Sequence, residues 1–196
     1  MKLNRKSFLL YKLFNSSFTG LSVGILFTIY KPLEDPSIYS LGGIVLALSM
    51  LLIALFYEKL LNIKSFYAIS MLVELVMMIS LITFLILDIS FVSALIIYCL
   101  YQFTFIFGGY LVRAETLVAS DKDFLAKIDV LKQIGYLVGL SASYLFYKIM
   151  EHYFEIMSGE SQIEILHYLL IVLQLFIIVL LLFSFSFPST TQEPEN

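Results

Sequence analysis

Charge is scarce in this chain: only 14% of its 196 residues are Asp, Glu, Lys or Arg, against 60% hydrophobic, and the mean hydropathy is +0.94. So little charge cannot cover a water-soluble core, which excludes a soluble globular domain. Cysteine is scarcer still. Cys99 stands alone, so neither an internal disulfide nor a thiolate metal site can form within the chain. The H-E-x-x-H, G-x-S-x-G, paired-Asp and P-loop patterns are all missing, and no membrane segment is expected to contribute a histidine. An intramembrane hydrolase or a metal-dependent transferase therefore lacks its parts, and the expectation is a protein that is not an enzyme and carries no cofactor and no metal. Basic residues are few and do not interleave with aromatics outside the apolar stretches, so nucleic acid is not an expected partner.

What the chain does have is six long apolar stretches: roughly Leu10 to Tyr30, Tyr39 to Tyr57, Ser65 to Leu87, Ser90 to Val112, Leu131 to Ile149 and Ile163 to Phe187. Each approaches or exceeds the ~20 residues with which a helix crosses the hydrocarbon layer. In lipid the backbone must bond to itself, which leaves helices or closed barrels. Barrel strands alternate polar and apolar residues over ~10 positions, and these runs are too long and unbroken for that. The spacing predicts an all-α integral membrane protein of six transmembrane helices spanning 10–187, with a short N-terminus at 1–9 and a flexible tail at 188–196.

The bases orient the bundle. Lys2, Arg5, Lys6, Lys12, Lys59, Lys64, Arg113, Lys122, Lys127 and Lys132 fall on one side; only Lys31 and Lys148 fall on the other. Ten against two predicts both termini in the cytoplasm, with the first helix an uncleaved span. Localisation in a bacterial cytoplasmic (inner) membrane is expected. In the gap after helix four, Ser120-Asp121-Lys122-Asp123 ahead of Phe124, Leu125, Ile128 and Leu131 predicts an N-cap and an amphipathic helix running into helix five. The gap from Lys148 to Glu164 holds His152, Glu151, Glu155, Glu160 and Glu164. That composition suits either a metal site or a hydrated acidic loop, and the loop is the plainer reading.

Helices one and four are the polar ones. Helices two and five carry small residues (Gly43 and Ala47; Gly135, Gly139 and Ser143), and helices three and six are the most uniformly apolar. The same order thus occurs twice, as a three-plus-three inverted repeat would give. Within this frame Glu74 stands out. It lies about ten residues from Lys64, hence ~15 Å along the helix and close to the bilayer midplane. Its own helix offers it no partner, so it should face the bundle interior, either as a proton carrier or as a packing residue. Ser22, Gln102, Ser141 and Gln174 fall near the same level, where a solute site would be expected.

Ala119-Ser120-Asp121, then Phe124-Leu125-Ala126-Lys127-Ile128-Asp129, then Gln133-Ile134-Gly135 and Gly139, is similar to the loop and glycine-bearing fifth helix of the major facilitator superfamily. Tyr57-Glu58-Lys59-Leu60-Leu61-Asn62-Ile63-Lys64 resembles a worn copy of that family's Gly-x-Leu-x-Asp-Arg-x-Gly-Arg-Lys loop. Glu58 stands where the Asp would, Lys59 where the Arg would, and Lys64 near the terminal base. The likeness covers about 11–187 and only the N-terminal six-helix half of a twelve-helix fold. The loop glycines and the proline of the fifth-helix pattern are absent.

The resemblance implies a half-size secondary transporter that moves a small solute as a homodimer, or as a heterodimer with another six-helix half. Ser22, Tyr98, Tyr101, Gln102 and Ser141 would line its cavity, and Glu74 would carry a coupling proton. Glu58, Lys59, Lys64, Arg113 and Glu115 would be cytoplasmic gating charges. In a parallel dimer, Gly43 and Ala47 of one copy are expected to face Gly135, Gly139 and Ser143 of the other. The alternative is a non-transporting membrane subunit or scaffold, or a degenerate or split transporter half, that acts through a partner protein.

Overall fold

The computed structural model describes residues 1–87 and 90–186; the expected tail at 188–196 lies outside them. The regular elements of the described chain are helices and two short strands. Its helices are α1 (Arg5–Ile29), α2 (Pro36–Leu55), α3 (Tyr57–Leu60), α4 (Ile63–Ile86), α5 (Phe91–Ile106), α6 (Gly108–Ala119), α7 (Lys122–Tyr153) and α8 (Gly159–Phe183). β1 (Lys2–Leu3) pairs antiparallel with β2 (Phe185–Ser186), tying the two ends of the described chain together.

Local chemistry sets the boundaries. Asn4, Asp35, Asn62, Ser90 and Asp121 each accept a backbone N–H at the start of a helix, and Pro36 opens α2. These are the residues whose side chains satisfy the free donors of a first turn. The fourth apolar stretch breaks at Phe107 and continues as α6 to Ala119, past the expected end at Val112. Ser120 then takes a left-handed conformation (φ 61°) and Asp121 caps a single unbroken α7. The amphipathic segment is therefore the first part of the fifth long helix, as its sequence predicts. Much of the expected outer loop after Lys148 is also helical, since α7 runs to Tyr153 and α8 begins at Gly159. Among the described residues no cluster of His, Cys, Asp or Glu is placed to hold a metal ion. Glu151 pairs instead with Lys148 at 2.7 Å.

Among the described residues, four helices are long and apolar enough to cross a membrane: α2, α4, the α5–α6 run and α8. α1 and α7 are long enough but less apolar, and they make the most extensive helix pair in the structure. The reason is the small residues. A Cβ built on Gly139 would overlap the Ser17 carbonyl, one on Gly135 the Leu13 carbonyl, and one on Gly20 the Tyr136 carbonyl. Backbone meets backbone along this seam, which is how small residues join membrane helices. Here the expected dimer contact needs correction: Gly135, Gly139 and Ser143 are buried within one chain against α1, so they are not free to meet a second copy. Gly43 has nothing within 4 Å, and Ala47 is exposed.

The next most extensive helix pairs are α1–α8, α4–α8, α4–α5 and α2–α5. At one end of the bundle Phe8, Phe66, Phe124 and Phe185 pack together, with ring centroids 6.0 to 6.4 Å from Phe8. At the other end Tyr98 meets Tyr30 and Tyr39 at 5.6 and 5.5 Å.

Candidate functional site

Glu74 sits eleven residues from Ile63 and twelve from Ile86, midway along α4, and is only 2% exposed. Its partners come from other helices. Oε1 accepts the Tyr11 hydroxyl at 2.7 Å and the Asn15 Nδ2 at 2.8 Å, while Oε2 accepts Gln174 Nε2 at 2.8 Å. Gln174, fully buried on α8, also donates to the Glu74 backbone carbonyl at 3.0 Å. Tyr11 and Asn15 are four residues apart on α1 and so share one helix face. Three helices converge on one carboxyl group with three donors, the number that a buried carboxylate needs to replace most of its hydration.

This cluster forms part of the wall of a cavity of about 250 Å³ bounded by α1, α4, α5 and α8. Its lining also includes Phe18, Thr19, Ser22, Leu26, Met77, Tyr101, Thr104 and Phe105. A second cavity of about 490 Å³ shares Val23 and Leu26 with it and leads to Tyr30, Lys31 and Tyr39 at the tyrosine end of the bundle. At the opposite end the phenylalanine cluster lies beneath Tyr11. Beside it, the Lys12 ammonium contacts Glu115 and lies 5.3 to 5.8 Å from the ring centroids of Phe8, Tyr11 and Phe66.

The structure brings some of the predicted site residues together and scatters others. Ser22, Tyr101 and Glu74 share the 250 Å³ cavity. Tyr98 and Gln102 line a different one of about 340 Å³ between α2 and α5, where Gln102 Oε1 meets no protein donor among the described residues. Ser141 is exposed on α7. Of the expected gating charges, Glu58, Lys59, Lys64 and Arg113 are exposed and make no ion pair among the described residues. Glu115 is buried, but its partners are Lys12 on α1 and Lys132 on α7 (3.2 Å) rather than the bases before α4.

Asp121 holds the same end of the bundle. Its carboxylate accepts the Phe124 N–H and pairs with Arg5 at 2.6 Å; the backbone N–H first and the guanidinium next keep this carboxyl below its usual range. His167 corrects another expectation: it lies inside α8, 2% exposed, stacked on Phe84 at 3.8 Å with its Nδ1 on the Ile163 carbonyl.

Sequence reasoning missed Tyr11, Lys12, Asn15, Thr104 and Lys132 as site residues. A signal for some was there. Asn15, Thr19 and Ser22 recur at helical spacing, marking one polar face of α1. No family model matches this chain, and no curated protein or solved structure does either.

Proposed function

We propose that this chain is a half-size secondary transporter of the major facilitator type. In this reading six helices span the membrane with both termini cytoplasmic, and the chain works as one half of a dimer around a midplane solute cavity. The observation that carries it is Glu74: an ionisable group at mid-helix, held by α1 and α8, on the wall of a cavity that continues toward one end of the bundle. Ionisable groups at membrane depth are costly, and they mark solute and proton pathways.

The helix pairing supports a three-plus-three repeat. Exchanging α1, α2 and α4 with α5, α7 and α8 turns the α1–α7 pair into α5–α2 and α1–α8 into α5–α4, and it returns α4–α8 to itself; all of these pairs occur. The less apolar α1 and α7 would span by covering each other's polar and small faces. With the α7 glycines spent inside the chain, the open face for a second half is α2, none of whose residues is buried.

The test is uptake of labelled solute into proteoliposomes across a panel of amines, amino acids, sugars and organic acids under an imposed pH gradient. At least one class should be taken up at a rate that scales with the gradient and lose that dependence in Glu74→Gln, which keeps the shape but cannot release a proton. Uptake unchanged in the variant would leave Glu74 a packing residue. The bare α2 also favours a second reading, a subunit docked through that helix. No uptake of any class, together with one stoichiometric membrane partner on purification, would support that reading instead.

A further inference from the structure

The hydrogen-bonding groups around the 250 Å³ cavity are committed in one sense: their protons are used and their oxygens are not. The Ser22 hydroxyl donates to the Thr19 carbonyl at 3.2 Å, Thr19 to the Asn15 carbonyl at 3.1 Å and Thr104 to the Tyr101 carbonyl at 2.7 Å. A carbonyl can only accept, so each hydroxyl has given up its proton and keeps its lone pairs. Gln174 spends its amide on Glu74 through the two contacts described above. Its Oε1, in a residue with no exposed surface, meets no protein donor among the described residues. A carboxylate offers about four acceptor sites. Glu74 uses three, so one remains on Oε2. Asn15 keeps one N–H and Tyr101 its O–H, but the balance of the wall is strongly toward acceptors.

Such a wall fits an occupant that brings N–H donors and positive charge. Among the described residues no Lys, Arg or His lines the cavity. The base adjoining Tyr11, Lys12, has its ammonium on Glu115. The remaining walls are Phe18, Val23, Leu26, Val73, Met77 and Phe105, with Tyr101 beside them. Aromatic faces attract a cation, and the thioether and aliphatic groups accommodate an apolar body. A bare metal ion would need oxygens closing around it on all sides, whereas this wall is largely hydrocarbon. The volume lies below the ~300–1,000 Å³ of drug-sized pockets, which limits the occupant to about one ring.

We propose that this cavity binds a small organic ammonium ion, with its N–H groups on Glu74 Oε2 and Gln174 Oε1 and its apolar body against Phe18, Met77 and Phe105. The proposal rests on reading the cavity as a solute site, and its test is binding rather than flux. Amine binding without any uptake would overturn transport and leave the site standing.

The probe is radiolabelled phenethylamine, measured by equilibrium dialysis on the protein in nanodiscs, against 2-phenylethanol, 3-phenylpropionate and sodium chloride. Phenethylammonium should bind at least about tenfold tighter than 2-phenylethanol, the scale of a hydrogen bond to a charged group, and 3-phenylpropionate should not compete. Glu74→Gln should bring the amine and the alcohol to within about twofold of each other. Ser22→Leu, which fills the cavity and leaves the Glu74 cluster intact, should abolish amine binding. If Glu74→Gln fails to insert, the charge series on the unaltered protein still decides. Equal binding of amine and alcohol overturns the proposal, as does an amine preference that survives Glu74→Gln, binding that survives Ser22→Leu, or displacement by sodium as effective as by unlabelled amine, which would make this a bare-cation site.

Discussion

Adding one methyl group to Gly139 should separate the two helices that hold the bundle together. A Cβ there overlaps the Ser17 carbonyl oxygen and lies 2.9 Å from the Leu21 nitrogen. Both are backbone atoms, so no rotamer change relieves the contact. α1 must retreat by roughly 1 Å to regain van der Waals distance, and the neighbouring seams at Gly135 and Gly20 loosen with it. Overpacking of this kind costs about 1–3 kcal/mol, while Ala in place of Gly in a helix gains about 0.5–1 kcal/mol. The expected net loss for Gly139→Ala is therefore about 1–2 kcal/mol. For a chain of this length that is a fall of roughly 2–8 °C in apparent Tm. Gly43→Ala is the control: nothing lies within 4 Å of its added Cβ, so the helix preference acts alone and Tm should hold or rise. The assay is heat challenge of the detergent-solubilised protein followed by size-exclusion chromatography. A Gly139→Ala protein as stable as Gly43→Ala would refute the close α1–α7 seam.

Two further predictions concern the charged end of the bundle. The Lys12 and Glu115 side chains are 12% and 4% exposed, so removing Glu115 strands Lys12, whereas removing Lys12 leaves Glu115 with Lys132. Glu115→Ala should cost about 3–5 kcal/mol and Lys12→Ala less, and the double variant Lys12→Ala/Glu115→Ala should cost less than the sum of the singles, as a double-mutant cycle on thermal stability would show. Asp121 is held below its usual range by the Phe124 N–H and by Arg5. Its contribution is present at neutral pH, where folded and unfolded forms are both ionised, and is lost as pH falls through the carboxylate range into the folded group's lower one. Hydrogen exchange at the first turn of α7 should accelerate over that acid window, and Asp121→Asn should flatten the dependence.

The sequence is legible where one physical rule decides the outcome. Apolar runs long enough to span lipid locate the six long helices among the described residues, and Ser90 and Asp121 mark where two of them begin. The interior position of Glu74 follows from the cost of leaving it in hydrocarbon. Pairing is another matter. Gly135 and Gly139 announce a close backbone approach, but a small face fits a second copy and a neighbouring helix equally well, and only the fold assigns it to α1. Depth alone put Gln102 and Ser141 level with Glu74. Rotation about the helix axis sends Gln102 to the α2 side and Ser141 to the exterior. Glu115 shows the same limit: its position predicts a charge contact at that end, and the partners turn out to be Lys12 and Lys132, far from it in sequence.

The crossing of α7 tests the account most directly, because it is one of the two long helices outside the strongly apolar set. In a Cys99→Ser background, single cysteines at Ser120 and Ser158 bracket that helix. That background leaves each engineered thiol as the single cysteine of the chain. Six spans predict that an impermeant thiol reagent reaches these two positions from opposite faces of sealed, oriented vesicles. Labelling of both from one face would mean that α7 does not cross, and it would contradict the six-helix unit on which the Glu74 cavity is read as a transport site.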